Sequence, residues 1–289
     1  MKWGSAEIKL WFDEQSIQRS YQDNIILKLK KQTSKVELIN YGRIDDYILY
    51  AVKSLNWSKC KPSILITGGV HGYETSGVHG ALDFIENELL EYSDDFNIMV
   101  VPCVSPWGYE TINRWNSQAV DPNRSFSKGG QADESRFLMS FIKSQRIDFK
   151  MHIDLHETTD TDNSVFRPAL ASRDGLNIEL WDIPDGFYLV GDIEAPVDEF
   201  QSEIIKEVRK VTHIAPSDKQ NRLIGVKISQ EGVINYKAKD LGLCMSLTNA
   251  EYRTTTEVYP DSVNVTLLDC RKAQVNAILG AIKYLKEKC

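Results

Sequence analysis

Strand-length apolar runs alternate with helix-length periodic runs along most of this chain, and that alternation restricts its fold more than any other feature. Strand-like segments occur near 47–53, 63–70, 97–103, 149–155, 186–191 and 243–248. Helix-like segments occur near 75–91, 133–146, 197–212 and 263–287. A strand turns successive side chains to opposite faces and a helix repeats every 3.6 residues, so the two patterns separate by period. The stretch 263–287 spaces its apolar residues three and four apart and is the strongest helix signal. No internal repeat and no Pro/Gly/Ser-rich linker divides the 289 residues. The expectation is a single α/β domain over 1–289 with a largely parallel or mixed sheet. In such sheets active sites gather at the carboxyl ends of strands.

Charge and cysteine usage narrow the classes of function. A net charge of −7 argues against a broad nucleic-acid surface, which needs a basic face. No run of 18 apolar residues exists, so no membrane span is expected. The stretch MKWGSAEIKLWFDEQ has no apolar core of a secretory leader. The five cysteines, Cys60, Cys103, Cys244, Cys270 and Cys289, are scattered without a CxxC pair. That pattern suits a reduced, cytoplasmic protein and excludes a cysteine zinc site of the usual spacing. All five read as packing or surface residues.

Residues 66–80 read ITGGVHGYETSGVHG. The apolar run 63–67 stops at Gly68 and Gly69, the next loop carries His71 and Glu74, and a helical pattern follows through Val78, Leu82, Ile85 and Leu89. A phosphate cradle at this turn would need GxxxxGK[ST], but Gly72–Gly77 is followed by Val78 and His79, so a nucleotide-binding module is a poor match. A lone HxxE is weak, and His79 and His213 read as ordinary histidines. A loop histidine beside glycines is commonly just exposed; the third reading is a metal site, because zinc takes imidazole nitrogen and carboxylate oxygen and a catalytic site uses three protein ligands. The stretch MHIDLHETTDTD (151–162) offers a third ligand. His152, Asp154 and His156 alternate along a strand and so share a face. His156 sits at its end, His152 lies deeper and packs or supports, and Asp154 is placed to orient a histidine. Asp154, Glu157, Asp160 and Asp162 would permit a second ion without demanding one. Two further segments carry charge: residues 105–126, with Arg114 and Arg124, and the strand-like Thr254–Thr256 followed by Glu257.

Together these segments resemble the zinc carboxypeptidase superfamily, which includes the aspartoacylase and succinylglutamate desuccinylase enzymes. HGYE (71–74) is similar to the family's HxxE pair, SPWG (105–108) to its Asn-Pro-Asp-Gly turn, and DPNRSF (121–126) to its Asp-Leu-Asn-Arg-Asn-Phe. DLHET (154–158) resembles the strand end with the third ligand, and TTEVYP (255–260) the segment with the catalytic glutamate. The resemblance runs over roughly residues 47–285. It implies a three-layer α/β/α fold with a central mixed, largely parallel sheet. It implies that His71, Glu74 and His156 bind zinc, that Arg114 polarises the scissile carbonyl, that Asn123 and Arg124 bind a terminal carboxylate, and that Glu257 is the base.

The chain departs from the family at Pro122 and Ser125. Within GVINYKAKDL (232–241), Ala238 occupies the place of the substrate-closing tyrosine, leaving Tyr236 or Tyr252 as replacements. The implied reaction is hydrolysis of an amide bond beside a free carboxylate, in a small peptide or an acylated amino acid. SPWG leans to a metallocarboxypeptidase. The loop after His156 and the short spacing from Arg114 to Arg124 lean to an N-acyl-amino-acid deacylase. A metal-binding relative without catalysis is the further alternative. Nothing in the sequence speaks to oligomeric state.

Overall fold

A computed structural model describes residues 2–288, so Cys289 lies outside the described residues. Among these residues ten strands form one mixed sheet. They are β1 (Val36–Ile44), β2 (Tyr47–Ser54), β3 (Ser63–Gly68), β4 (Asn97–Val101), β5 (Phe149–Glu157), β6 (Tyr188–Asp192), β7 (Arg222–Leu223), β8 (Val226–Gln230), β9 (Val233–Tyr236) and β10 (Tyr252–Val258). The helices are α1 (Ser5–Asp13), α2 (Leu27–Lys31), α3 (Thr75–Asn87), α4 (Leu89–Tyr92), α5 (Pro106–Thr111), α6 (Asp133–Gln145), α7 (Arg167–Asp174), α8 (Asp198–Val208) and α9 (Leu267–Lys288).

The sheet order is β1-β2-β4-β3-β5-β10-β6-β9-β8-β7. Its centre, β4-β3-β5-β10, is parallel, and the strands joining on either side, β2 and β6, pair antiparallel with it. Central strands are covered on both faces, which is why β3 reads as an unbroken apolar run with all six residues buried. The period of two then sorts the core. Ile64, Ile66, Val100, Ile153 and Leu155 meet Val78, Ala81 and Ile85 of α3 and Ala277 and Ile278 of α9. Leu65, Met99 and Val101 face the other way, onto Leu138, Phe141 and Ile142 of α6. Helices on both faces make the three-layer fold, and each fully buried aliphatic side chain contributes roughly 1.5–3 kcal/mol. No helix among the described residues is long and apolar enough to cross a membrane.

Three segments depart from the pattern read in the sequence. Residues 243–248 form a short 3-10 turn, Cys244–Ser246, instead of a strand. Leu243, Cys244 and Met245 are buried, but the Cys244 amide bonds to the Asn123 side chain at 2.7 Å and not to a neighbouring strand. The helical run 75–91 breaks at Glu88 into α3 and α4. The last helix starts at Leu267, after Thr266 and Asp269 exchange capping hydrogen bonds of 3.0 and 3.2 Å.

Candidate metal centre

The parallel strands end on one edge of the sheet, and the site is built there. Gly69 turns the chain out of β3 at φ +61°, a conformation that a side chain would strain. Gly72 packs so closely on the next loop that a Cβ would lie 2.0 Å from the Tyr109 amide nitrogen. The amides of Val104 and Ser105 bond to the carbonyls of Gly68 and Gly69, and the Ser105 hydroxyl to that of Val70 at 2.7 Å. These contacts hold His71 and Glu74 inward, buried to 2% and 1% exposure.

His156, next to last in β5, meets them from the neighbouring strand. Nitrogen and oxygen atoms of His71, Glu74 and His156 all lie within 4.8 Å of one another, a group that could hold a metal ion. His71 Nδ1 is 2.7 Å from Glu74 Oε1, and His156 Nδ1 is 2.7 Å from Glu74 Oε2. The outer nitrogens are held from behind: His71 Nε2 is 2.9 Å from Asp121 Oδ1, and His156 Nε2 is 2.7 Å from Asp154 Oδ2. With the Nε2 protons donated outward, both Nδ1 lone pairs point at one spot, the arrangement in which carboxylates orient metal-bound imidazoles. Glu74 Oε2 is buried and receives no hydrogen bond of good geometry. Two inward imidazole nitrogens and an orphaned carboxylate oxygen fit a His₂Glu zinc set. Without a cation between them, burial would raise the Glu74 carboxyl, but the charges of His156 and His71 outweigh it and hold it at about 2. Burial opposes charge on His156, yet Glu74 and Asp154 push its pKa well above the usual histidine range.

The supporting groups are ordered in turn. Thr67 donates its hydroxyl proton to Asp154 at 2.6 Å and meets His152 Nε2 at 3.0 Å. His152 therefore supports the site from one position further back, as its depth in the strand suggested. Asp121 takes the Asn123 amide at 2.9 Å on the oxygen that meets His71, and Arg114 Nε at 3.2 Å on the other. Arg114 Nη1 reaches Asp162 at 3.0 Å, and Asp162 also accepts from the Tyr73 hydroxyl at 3.1 Å. Burial works against Asp121, but His71 and Arg114 keep its carboxyl well below the usual range.

Arg114, Asn123, Arg124 and Glu257 line the same cavity as the three metal-ligand candidates, with a volume of about 920 Å³. Asn123 Oδ1 accepts the Cys244 amide, which leaves its two N–H donors for a ligand. Arg124 is exposed, but into this cavity, where its Nη1 donates to the Asn123 carbonyl at 2.7 Å and meets no carboxylate among the described residues. Glu257 stands beside His156 in the register of β10 on β5. Its Oε2 accepts from Thr158 at 2.8 Å, and Thr158 meets the Tyr188 hydroxyl at 2.7 Å. Burial pushes the Glu257 carboxyl up to about 8, with the His156 charge opposing.

Of the two tyrosines left as replacements, Tyr236 lines the cavity. Tyr252 packs its ring against Phe200 and Tyr284, away from it. Ala238 is fully buried. The four acidic residues near His156 are dispersed. Asp154 serves His156, Asp162 serves Arg114, Asp160 accepts from the half-buried Tyr259, and Glu157 accepts the amides of Thr75 and Ser76 at the start of α3. No second group of three metal-type ligands forms among the described residues. Asp121, Thr158 and Tyr188 were not singled out by the sequence reading. Their roles depend on contacts 50, 99 and 30 residues away, and no spacing signals those.

Comparison with known proteins agrees with this geometry. The family model for zinc carboxypeptidases matches residues 13–167, more than half of the chain. The fold is similar to that of a candidate metallopeptidase from Shewanella amazonensis, at 18% identity and a TM-score of 0.68, covering 94% of this chain and 99% of that one. A metallo-carboxypeptidase from Burkholderia cenocepacia is similar at 13% identity and a TM-score of 0.63, with 91% and 68% covered. One from Pseudomonas aeruginosa, in complex with (2-guanidinoethylmercapto)succinic acid, is similar at 10% identity and 0.61, with 91% and 68% covered. At these identities the likeness speaks for the fold. No curated protein sequence matches the chain.

Proposed function

Given that the chain belongs to the zinc carboxypeptidase family and is a metallopeptidase-type hydrolase, we propose that it cleaves the amide bond next to a free carboxylate, as a metallocarboxypeptidase acting on small peptides. One observation carries this reading: the inward Nδ1 atoms of His71 and His156 converge with Glu74, while Asp121 and Asp154 hold the outer nitrogens. In this reading those three side chains hold zinc. When bound, zinc supplies Lewis acidity with a coordination position left open for water or substrate.

The chain's own residues divide the remaining work. Glu257 takes the proton from the attacking water and passes it to the leaving nitrogen. Burial brings its proton affinity near neutral pH, where a group can both accept and return a proton. Arg114, fixed at two atoms by Asp121 and Asp162, needs no reorganisation to meet the oxygen that gains negative charge. Arg124 and Asn123 receive the substrate's carboxylate, the partner that Arg124 lacks within the chain. Tyr236 takes the place of the family's substrate-closing tyrosine.

A second reading, deacylation of N-acyl amino acids on the same residues, is favoured by the helix α1, which is tied to loops on two sides of the pocket. The test of both is a panel of peptides with free C-termini, the same peptides amidated, and N-acyl amino acids, offered to protein with measured zinc content. Cleavage confined to members with a free carboxylate is expected. Cleavage of the amidated members at equal rate contradicts the proposal, and stoichiometric zinc with no cleavage at all leaves a metal-binding protein without this activity.

A further inference from the structure

Residues 2–13 lie almost wholly before the family match, and they build one wall of the pocket: Lys2, Trp3 and Ile8 all line it. Helix α1 has no buried residue of its own. It is held by its ends, and the two sets of anchors lie on different loops. On one side the Trp3 amide donates to the Arg173 carbonyl at 2.9 Å, and its indole nitrogen to Ser172 Oγ at 3.0 Å, both in α7. On the other side Trp3 and Trp11 pack on Trp115 with ring centroids 5.9 and 5.7 Å apart, and Trp11 packs on Trp107 at 5.8 Å.

Helix α7 follows β5, and Trp107 and Trp115 follow β4. Strand β3, which leads to His71 and Glu74, lies between β4 and β5. Helix α1 therefore joins the two loops that flank the metal-ligand loop. Arg173 ties the same loops directly, donating to the Ala119 carbonyl at 2.7 Å with its guanidinium 4.6 Å above the Trp115 ring. The carboxylate end of the pocket lies elsewhere. Asn123 and Arg124 share the loop after β4 with Trp115 but are packed against Gly242 and Cys244, and Glu257, Tyr188 and Tyr236 belong to β10, β6 and β9, beyond β5.

We propose that α1 closes the acyl side of the pocket and restricts the enzyme to substrates with a short acyl part, dipeptides or N-acyl amino acids, ahead of longer peptides. This rests on the hydrolase reading above, with the free carboxylate at Arg124. A substrate with its carboxylate there and its scissile bond at the metal ligands extends its acyl part away from Gly242 and Cys244, toward the wall that α1 builds on Trp107 and Trp115. Because α1 contributes nothing to the buried core, it can be altered without unmaking the sheet.

The experiment measures kcat/KM for a series with one C-terminal residue and a growing acyl part: N-acetyl amino acid, dipeptide, tripeptide and pentapeptide. Wild-type protein is compared with the double variant Trp3→Ala/Trp11→Ala and with Ile8→Ala, which leaves the tryptophan anchors in place. The wild type is expected to fall about 10-fold or more from dipeptide to pentapeptide, and the double variant to raise the pentapeptide-to-dipeptide ratio by about 10-fold. Ile8→Ala moves the ratio in the same direction by a smaller factor and decides the matter if the double variant fails to fold. Cleavage with a ratio unchanged in the folded variants overturns this inference and leaves the hydrolase reading standing. No cleavage of any member by the zinc-loaded wild type overturns both.

Discussion

At the residue scale the proposed chemistry depends on which imidazole nitrogens face the metal-ligand cluster and which face away. Ala in place of His71, Glu74 or His156 removes one of the three proposed zinc ligands, and each variant should fail to retain zinc on dialysis while keeping its far-ultraviolet circular dichroism. Asp121→Asn and Asp154→Asn keep the ligands but disturb their orientation, so zinc affinity should drop by about 10- to 100-fold in a chelator competition. Unchanged affinity in both would mean that the carboxylates behind the histidines are incidental. Glu257→Gln should retain zinc and lower turnover by about 10² or more, the usual worth of a positioned general base. An unchanged rate removes Glu257 from the mechanism. The seven residues that line one cavity were legible through the resemblance of five motifs, in order, to the zinc carboxypeptidase superfamily; none of them stood out by spacing alone. Of the groups that fix them, Asp154 was legible from its place in the same strand as His156, and the others were not. Asp121 and Asp162 matter through contacts to His71 and Arg114 made 50 and 48 positions away, and that information exists only once the loops have met.

At the scale of elements, buried and periodic segments were readable and shallow ones were not. Strands β3 and β4 are buried on both faces and announce themselves as apolar runs, whereas β5, equally covered, alternates apolar residues with His152, Asp154 and His156. Helix α1 and strand β8 bury no residue fully, and β1 buries only Val36, so no periodic apolar signal marks them. Residues 243–248 have the opposite character: strongly apolar, they are packed in place by a side-chain bond from Asn123 instead of a strand partner. Helix α3 carries a property that tests its packing. Burial, with Lys28 and Arg271 adding to it, pushes His79 down to about 4, against about 6.5 in an unfolded chain. The folded state therefore binds fewer protons between these values. Stability from the neutral, buried ring is fully present above about pH 6.5 and is lost as pH falls toward 4. Urea titrations of His79→Gln and wild type should show the wild type losing roughly 2 kcal/mol more over that interval. Parallel pH profiles would place His79 in contact with water.

For the molecule as a whole, chain order brings the proposed metal ligands, base and arginines to the edge where the parallel strands end, and Tyr236 reaches the same cavity from β9. The metal ligands come from β3 and β5, the base from β10, and the arginines from the loop after β4. The alternation of strands and helices was enough to expect the loop after Gly68 at the carboxyl ends of the strands, whereas which flanks are antiparallel and the wall formed by residues 2–13 emerge only in three dimensions. The central claim is that this convergence recognises a free carboxylate beside the bond it breaks. It is tested most directly by kcat/KM of wild type and Arg124→Ala on one peptide carrying either a free or an amidated C-terminus. Removing one partner of a desolvated charge pair commonly costs ~2–5 kcal/mol, and each 1.4 kcal/mol is a decade. The account predicts a loss of about 30-fold or more on the free acid, little change on the amide, and little rescue by Arg124→Lys, whose ammonium lacks the two-pronged geometry. An equal loss on both substrates would contradict it.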